Sequence, residues 1–258
     1  MLSRHTINGD GESVSLLEAA SLLSTTSNRS QSPGRAFNRQ TFPGAARGQF
    51  ERHLRQTLDE QFQDLMLHLP PVMQARFSHL YRHSQKTFAL TLSMLRLLDI
   101  SEAEQTTIAI GAFLHDIGKL AIDEALLNKS ETLTPQEYTI IKCHPVYGAD
   151  ILTRYVWLPD VAVLAYHHHE RWDGEGYPDR LAGAAIPLGA RIIAIADAFD
   201  AMTSHRSYQR RRSPREAAEE LERCAGTQFD PVLAQLFCAD RLMLLRPAPV
   251  ALPCPVNR

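Results

Sequence analysis

The chain has 258 residues, 44% hydrophobic and 22% charged, with a formal net charge of −2. That is enough apolar material for one core. A pI near 6.6 excludes the global basic field of a protein that coats DNA. Aromatic residues make up only 7%, which disfavours a base-stacking single-strand binder. No apolar run approaches the ~18–20 residues that span a bilayer. The first residues also lack the charged-then-apolar order of a secretion signal. The expectation is a cytoplasmic protein with no membrane span and no DNA partner. The four cysteines, at 143, 224, 238 and 254, show no C-x-x-C spacing, so neither a disulfide framework nor a cysteine zinc site is indicated.

In chain order, residues 1–49 read as a flexible Ser/Arg-rich segment. Eight Ser fall in the first 32 positions, and no Asp or Glu occurs between Glu18 and Glu51. Such a stretch cannot bury enough apolar surface to offset its ordering entropy. From about residue 50 the apolar spacing becomes helical. Leu54, Leu58, Phe62, Leu65, Met66 and Leu69 recur on one face, and Pro70-Pro71 stops that run. A helix is expected over about 73–98, with Phe77, Leu80, Phe88, Leu92 and Leu95 inward. Ser101-Glu102-Ala103-Glu104 opens the next helix as a capping box, and it runs to about 115–117. Thr134-Pro135-Gln136-Glu137 and Ser213-Pro214-Arg215-Glu216 repeat that start signal, with Pro at the first helical position. The helix begun at Thr134 is expected to contain His144. Further helices fit 159–169, 187–203 and 214–224, and residues 236–258 read as a C-terminal tail. No stretch alternates with period two between hairpin turns. The fold is expected to be all-α.

The chemistry centres on His115-Asp116, which ends the apolar run Ile108 to Leu114. Adjacent helical residues point about 100° apart, so the pair can grip one metal centre from two sides, and a carboxylate can serve two cations. His83 lies upstream, and His144, His167-His168-His169 and Asp197 lie downstream. Asp197 interrupts a near-continuous apolar run, Ile193 to Met202, where an unpaired buried carboxylate is costly. Any one of these residues alone reads as a cap or a core hydrogen bond. Their succession over five helices points to a metal site.

His115-Asp116-Ile117-Gly118-Lys119 resembles the HD signature of metal-dependent phosphohydrolases. His168-His169-Glu170-Arg171-Trp172-Asp173-Gly174-Glu175-Gly176-Tyr177-Pro178 resembles the extended GYP signature. Together they are similar to the HD-GYP domain, the bacterial class of cyclic di-GMP phosphodiesterases, over about residues 79–235. The segment at 50–78 is then an N-terminal helical extension. The resemblance implies an HD-type helical bundle with a GYP loop. It also implies hydrolysis of cyclic di-GMP to linear pGpG and on to GMP, in bacterial second-messenger signalling. Carried over residue by residue, it implies metal ligation by His83, His115, Asp116, His144, His168, His169 and Asp197, with Asp116 shared between two ions. Lys119 and Arg206 become phosphate clamps, and Gly176 and Tyr177 substrate contacts. Catalysis falls to Asp116 and Lys119. Two divalent ions are implied, Fe or Mn ahead of Zn. Members with a third ion carry Glu four residues before the first ligand His, where this chain has His79, so a third ion held by imidazole stays open. Where family members read Asp-Arg-Pro-Tyr, this chain has His205-Arg206-Ser207-Tyr208. The resemblance also implies two partners, a diguanylate cyclase (GGDEF) protein and a second copy in a homodimer. The competing reading is a catalytically weak adaptor that binds the cyclic dinucleotide or the cyclase.

Overall fold

The computed structural model describes residues 71–154, 158–204 and 211–244, with short pieces at 6–7 and 13–14 and helical positions at 52, 56, 60 and 67. The chain divides into two compact units, Met1–Arg47 and Gly48–Arg258. In the first, β1 (Thr6–Ile7) pairs antiparallel with β2 (Ser13–Val14). The remainder of the segment expected to be flexible falls outside the described residues.

The second unit is helical, as expected. Its described helices are α1 (Pro71–Leu95), α2 (Glu102–Leu114), α3 (Glu124–Leu127), α4 (Pro135–Ile141), α5 (His144–Leu152), α6 (Pro159–His167), α7 (Leu188–Thr203), α8 (Pro214–Arg223) and α9 (Pro231–Leu244). A 3-10 turn, Ile117–Ala121, follows α2, and another lies at Gly183–Ala185. None of these helices is long and apolar enough to cross a membrane.

The start signals act as the sequence implies. Ser101 accepts the Glu104 N–H, while Thr134 and Ser213 form complete capping boxes with Glu137 and Glu216. The central element is α7, which packs against α1, α2, α6, α8 and α9. Ile192, Ile193, Ile195 and Ala196 of α7 are fully buried. Around them lie Met94 and Leu95 of α1, Phe113 of α2, Leu164 of α6, Leu221 of α8 and Phe237 of α9. Of the inward face expected on α1, Phe88, Leu92 and Leu95 are buried and Leu80 packs at the core's edge. Phe77 lies outside the described side chains.

Two expectations need correction. The helix begun at Thr134 ends at Ile141, and His144 opens a separate helix. Pro145 is the cause, because its ring lacks an N–H and clashes with the carbonyl four residues back. The tail expected at 236–258 begins too early, since α9 runs through to Leu244 and buries Phe237 and Cys238. Asp230 starts that helix by accepting the Val232 and Leu233 N–H groups.

Candidate metal centre

Three imidazoles occupy the same local geometry. α2 ends at Leu114, and the next residue, His115, donates Nδ1–H to the Ala112 carbonyl at 2.8 Å. α6 ends at His167, and His168 donates Nδ1–H to the Ala165 carbonyl at 2.7 Å. At the α4–α5 break, His144 donates Nδ1–H to the Ile141 carbonyl at 2.8 Å. In each case the ring satisfies a carbonyl that the helix end leaves without a backbone donor. At His144 that carbonyl is the one Pro145 cannot serve. A carbonyl only accepts, so the proton sits on Nδ1 and each Nε2 presents a lone pair to the interior.

These nitrogens converge on two carboxylates. Asp116 directs Oδ1 toward His144 Nε2 at 3.2 Å and His168 Nε2 at 3.9 Å. Its Oδ2 lies 3.5 Å from the Nε2 of both His83 and His115. Asp197, on α7, places Oδ1 3.1 Å from His83 Nε2 and 3.9 Å from His115 Nε2. The donors form two sets, Asp116 with His144, His168 and His169, and His83 with His115 and Asp197. Asp116 touches both. All seven residues that the resemblance implies as ligands are therefore drawn together. His167 is in neither set; it is buried, with its ring edge-on to Tyr166.

Burial and charge set three of the imidazoles apart from His83. Burial would raise the pKa of Asp116, but Lys119, His115 and His144 hold it well below the usual carboxylate range. Burial likewise opposes ionisation of Asp197, and the hydrogen bond from His83 overcomes it. Burial pushes His115 and His168 down and takes His169 to about 3. Those three rings are neutral at pH 7 beside ionised carboxylates, the protonation states that metal ligation requires. His83 goes the other way. Burial lowers it, but hydrogen bonds to Asp197 and Asp200 and the charge on Asp116 raise it to about 10.

The residues fit a divalent cation on an observation internal to the structure. His144 and His168 hold their Nε2 atoms 3.3 Å apart with both Nδ1 protons already committed. Two facing lone pairs satisfy no hydrogen bond; a shared cation satisfies both.

The chain matches the HD domain family model over residues 69–233. The chain belongs to the HD domain family. It is 38% identical over 181 residues to 3'3'-cGAMP-specific phosphodiesterase 2 of Vibrio cholerae, covering 69% of this chain and 35% of that protein. It is 39% identical over 159 residues to a cyclic di-GMP phosphodiesterase of Thermotoga maritima, covering 61% and 43%. With the cyclic di-GMP phosphodiesterase response regulator RpfG of Xanthomonas campestris the identity is 42% over 150 residues, covering 57% and 38%. The HD domain chain thus spans less than half the length of these relatives. Among solved structures, an HDG"Y"P protein from Bdellovibrio bacteriovorus superposes with a TM-score of 0.51 at 20% identity, covering 62% of this chain and 52% of that one. The HD-GYP resemblance and the all-α fold both stand.

Around the donors, the GYP loop is built by its own backbone. Buried Glu170 accepts the Asp179 N–H at 2.7 Å and the Leu181 N–H at 3.1 Å. A Cβ on Gly176 would lie 2.4 Å from the Arg171 nitrogen and 2.6 Å from the Glu170 Cα. Gly176, expected as a substrate contact, must be glycine for the loop to lie on residues 169–171. Tyr177 stacks on His169, ring centres 4.9 Å apart, and burial raises its hydroxyl pKa. Lys119 donates to Asp116 Oδ2 at 2.5 Å. Arg206 lies outside the described residues, as does the His79 side chain.

Two residues were missed as parts of the site. Asp200 accepts His83 Nδ1–H at 2.8 Å and the Ser204 hydroxyl at 2.7 Å, fixing the imidazole from behind. It follows Asp197 by three positions, so helical spacing alone puts both on one face. Glu170 sat inside the quoted signature without a role.

Proposed function

We propose that this chain is a metal-dependent phosphodiesterase that hydrolyses cyclic di-GMP to linear pGpG. The observation that carries the reading is the pair of donor sets joined at Asp116. Two divalent ions, Fe or Mn, would supply Lewis acidity, an activated water and charge neutralisation for in-line attack on a phosphodiester. His83, His115 and Asp197 would hold one ion, and His144, His168 and His169 the other, with Asp116 common to both.

The chain's own groups do the rest. Lys119 keeps Asp116 ionised and fixes the direction of its carboxylate. Asp200 sets the His83 tautomer and ring plane. A cavity of about 380 Å³ opens from His168, His169 and Asp197 along a face of α7 made of Ala194, Ala198 and Ala201. Its small side chains leave room for a flat base, and its volume lies in the range of small-molecule pockets, roughly 300–1,000 Å³. Arg171, paired with Asp173, and Arg212, paired with Glu220, also line it. We further propose a diguanylate cyclase as partner and a homodimer as assembly, on the family resemblance alone.

The test is product analysis. Protein reconstituted with Fe or Mn is incubated in parallel with cyclic di-GMP and 3'3'-cGAMP, and products are separated by chromatography. Conversion of cyclic di-GMP to pGpG supports the reading, and preference for 3'3'-cGAMP corrects the base. Tight binding without cleavage of either would favour the adaptor instead.

A further inference from the structure

The chain has four lysines, and three of them are spent on carboxylates. Lys86 Nζ lies 3.6 Å from Asp200, Lys119 2.5 Å from Asp116 and Lys129 2.7 Å from Glu137. Lys142 has no carboxylate within ion-pair distance among the described residues. It is half-buried and follows the last residue of α4, two positions before His144. Its ammonium sits 5.1 Å from the ring centre of Tyr138 and 4.9 Å from that of Tyr177. Tyr177 in turn stacks on His169, a member of the second donor set. Imidazole, phenol ring and ammonium thus follow one another outward from the metal centre.

Tyrosine rings hold a cation without cancelling its charge. The arrangement therefore places an uncompensated positive charge at the border of the site. A lysine at a helix end also meets the helix dipole. That dipole does not account for the reach toward Tyr177, which belongs to a different segment.

A cyclic dinucleotide carries two phosphodiesters, and the metal centre can engage only one of them at a time. We propose that Lys142 binds the phosphodiester that is not being cleaved. The inference rests on the proposed function and adds a residue that positions the substrate's far side. Lys119 lies at the centre itself, 2.5 Å from Asp116, rather than at its border.

The experiment compares wild type, Lys142→Met and Lys142→Arg on cyclic di-GMP at low and high ionic strength, with metal content measured on the same preparations. Lys142→Met keeps the apolar stem and removes the charge. The expected result is a KM raised about tenfold in Lys142→Met at low ionic strength, with kcat changed less than about twofold. High ionic strength should shrink that difference, because it screens an exposed charge–phosphate contact. Lys142→Arg should restore most of the affinity. A Lys142→Met enzyme with wild-type KM overturns the inference and leaves the functional reading intact. So does a loss that is equal at both ionic strengths or falls on kcat, since that is how a packing role would behave. A wild type that cleaves no cyclic dinucleotide overturns both.

Discussion

Replacing Gly118 by Ala should dismantle half of the metal centre without touching a donor. Gly118 lies in the 3-10 turn after His115-Asp116, where it meets the start of α5. A Cβ there would fall 1.9 Å from the His144 carbonyl oxygen and 2.4 Å from the Gly148 nitrogen. Both are backbone atoms, so no rotamer change relieves the clash. Ordinary C···O contacts are about 3.3 Å, so α5 must retreat by on the order of 1.4 Å. His144 Nε2 is 3.2 Å from Asp116 Oδ1, whereas metal–ligand distances tolerate only about 0.2 Å. Overpacking of this kind costs about 1–3 kcal/mol. At roughly 2–4 °C per kcal/mol for a chain of this size, Tm should fall by several degrees. The variant should also bind one ion fewer than wild type. Gly226→Ala is the control: its φ is +81° with nothing within 4 Å of an added Cβ. It should cost only the backbone term, about 1–2 kcal/mol, and keep full metal content. Thermal melts and metal analysis on both variants decide the matter. A Gly118→Ala protein with wild-type stoichiometry, or a Gly226→Ala protein that loses metal equally, would refute the reasoning.

Three further outcomes are expected. Asp200→Asn should weaken metal affinity by about 10- to 100-fold in a chelator competition, because it loosens the His83 ring without removing a donor; unchanged affinity would contradict this. Arg191→Met should lower stability by about 3–5 kcal/mol in denaturant melts, since Asp230 would be left buried without its partner at 2.6 Å. Adding Asp230→Asn to that variant should recover part of the loss, and a double variant no better than Arg191→Met would argue against the pair. Burial pushes the Cys238 thiol up to about 12, so peptide mapping after thiol labelling at pH 8 should find it modified only as fast as the protein unfolds. Rapid native labelling would show the site to be open.

Local signals carried most of the fold. Ser101, Thr134 and Ser213 each announce a helix start through short-range hydrogen bonds, and the structure keeps all three. The full set of seven donors came from the resemblance to the HD and GYP signatures; the residues themselves point most directly to His115-Asp116 at the end of an apolar run and to Asp197 inside another. Pro145 and the pair Asp230-Pro231 were equally local signals. The first breaks the helix through His144, and the second opens α9. What the sequence could not carry depends on distant backbones meeting. Nothing near Gly118 in the chain reveals that α5 presses on it, and nothing near Gly176 reveals the backbone of residues 169–171. The short contact between Lys119 and Asp116 is likewise visible only in three-dimensional distance.

The central claim is that Asp116 joins two ions in one centre. Metal per chain should therefore be measured on anaerobically purified wild type and Asp116→Ala, with cyclic dinucleotide turnover followed on the same samples. The account predicts two divalent ions per wild-type chain, and loss of both metal and turnover in Asp116→Ala. Full metal occupancy with near-normal turnover in Asp116→Ala would contradict it.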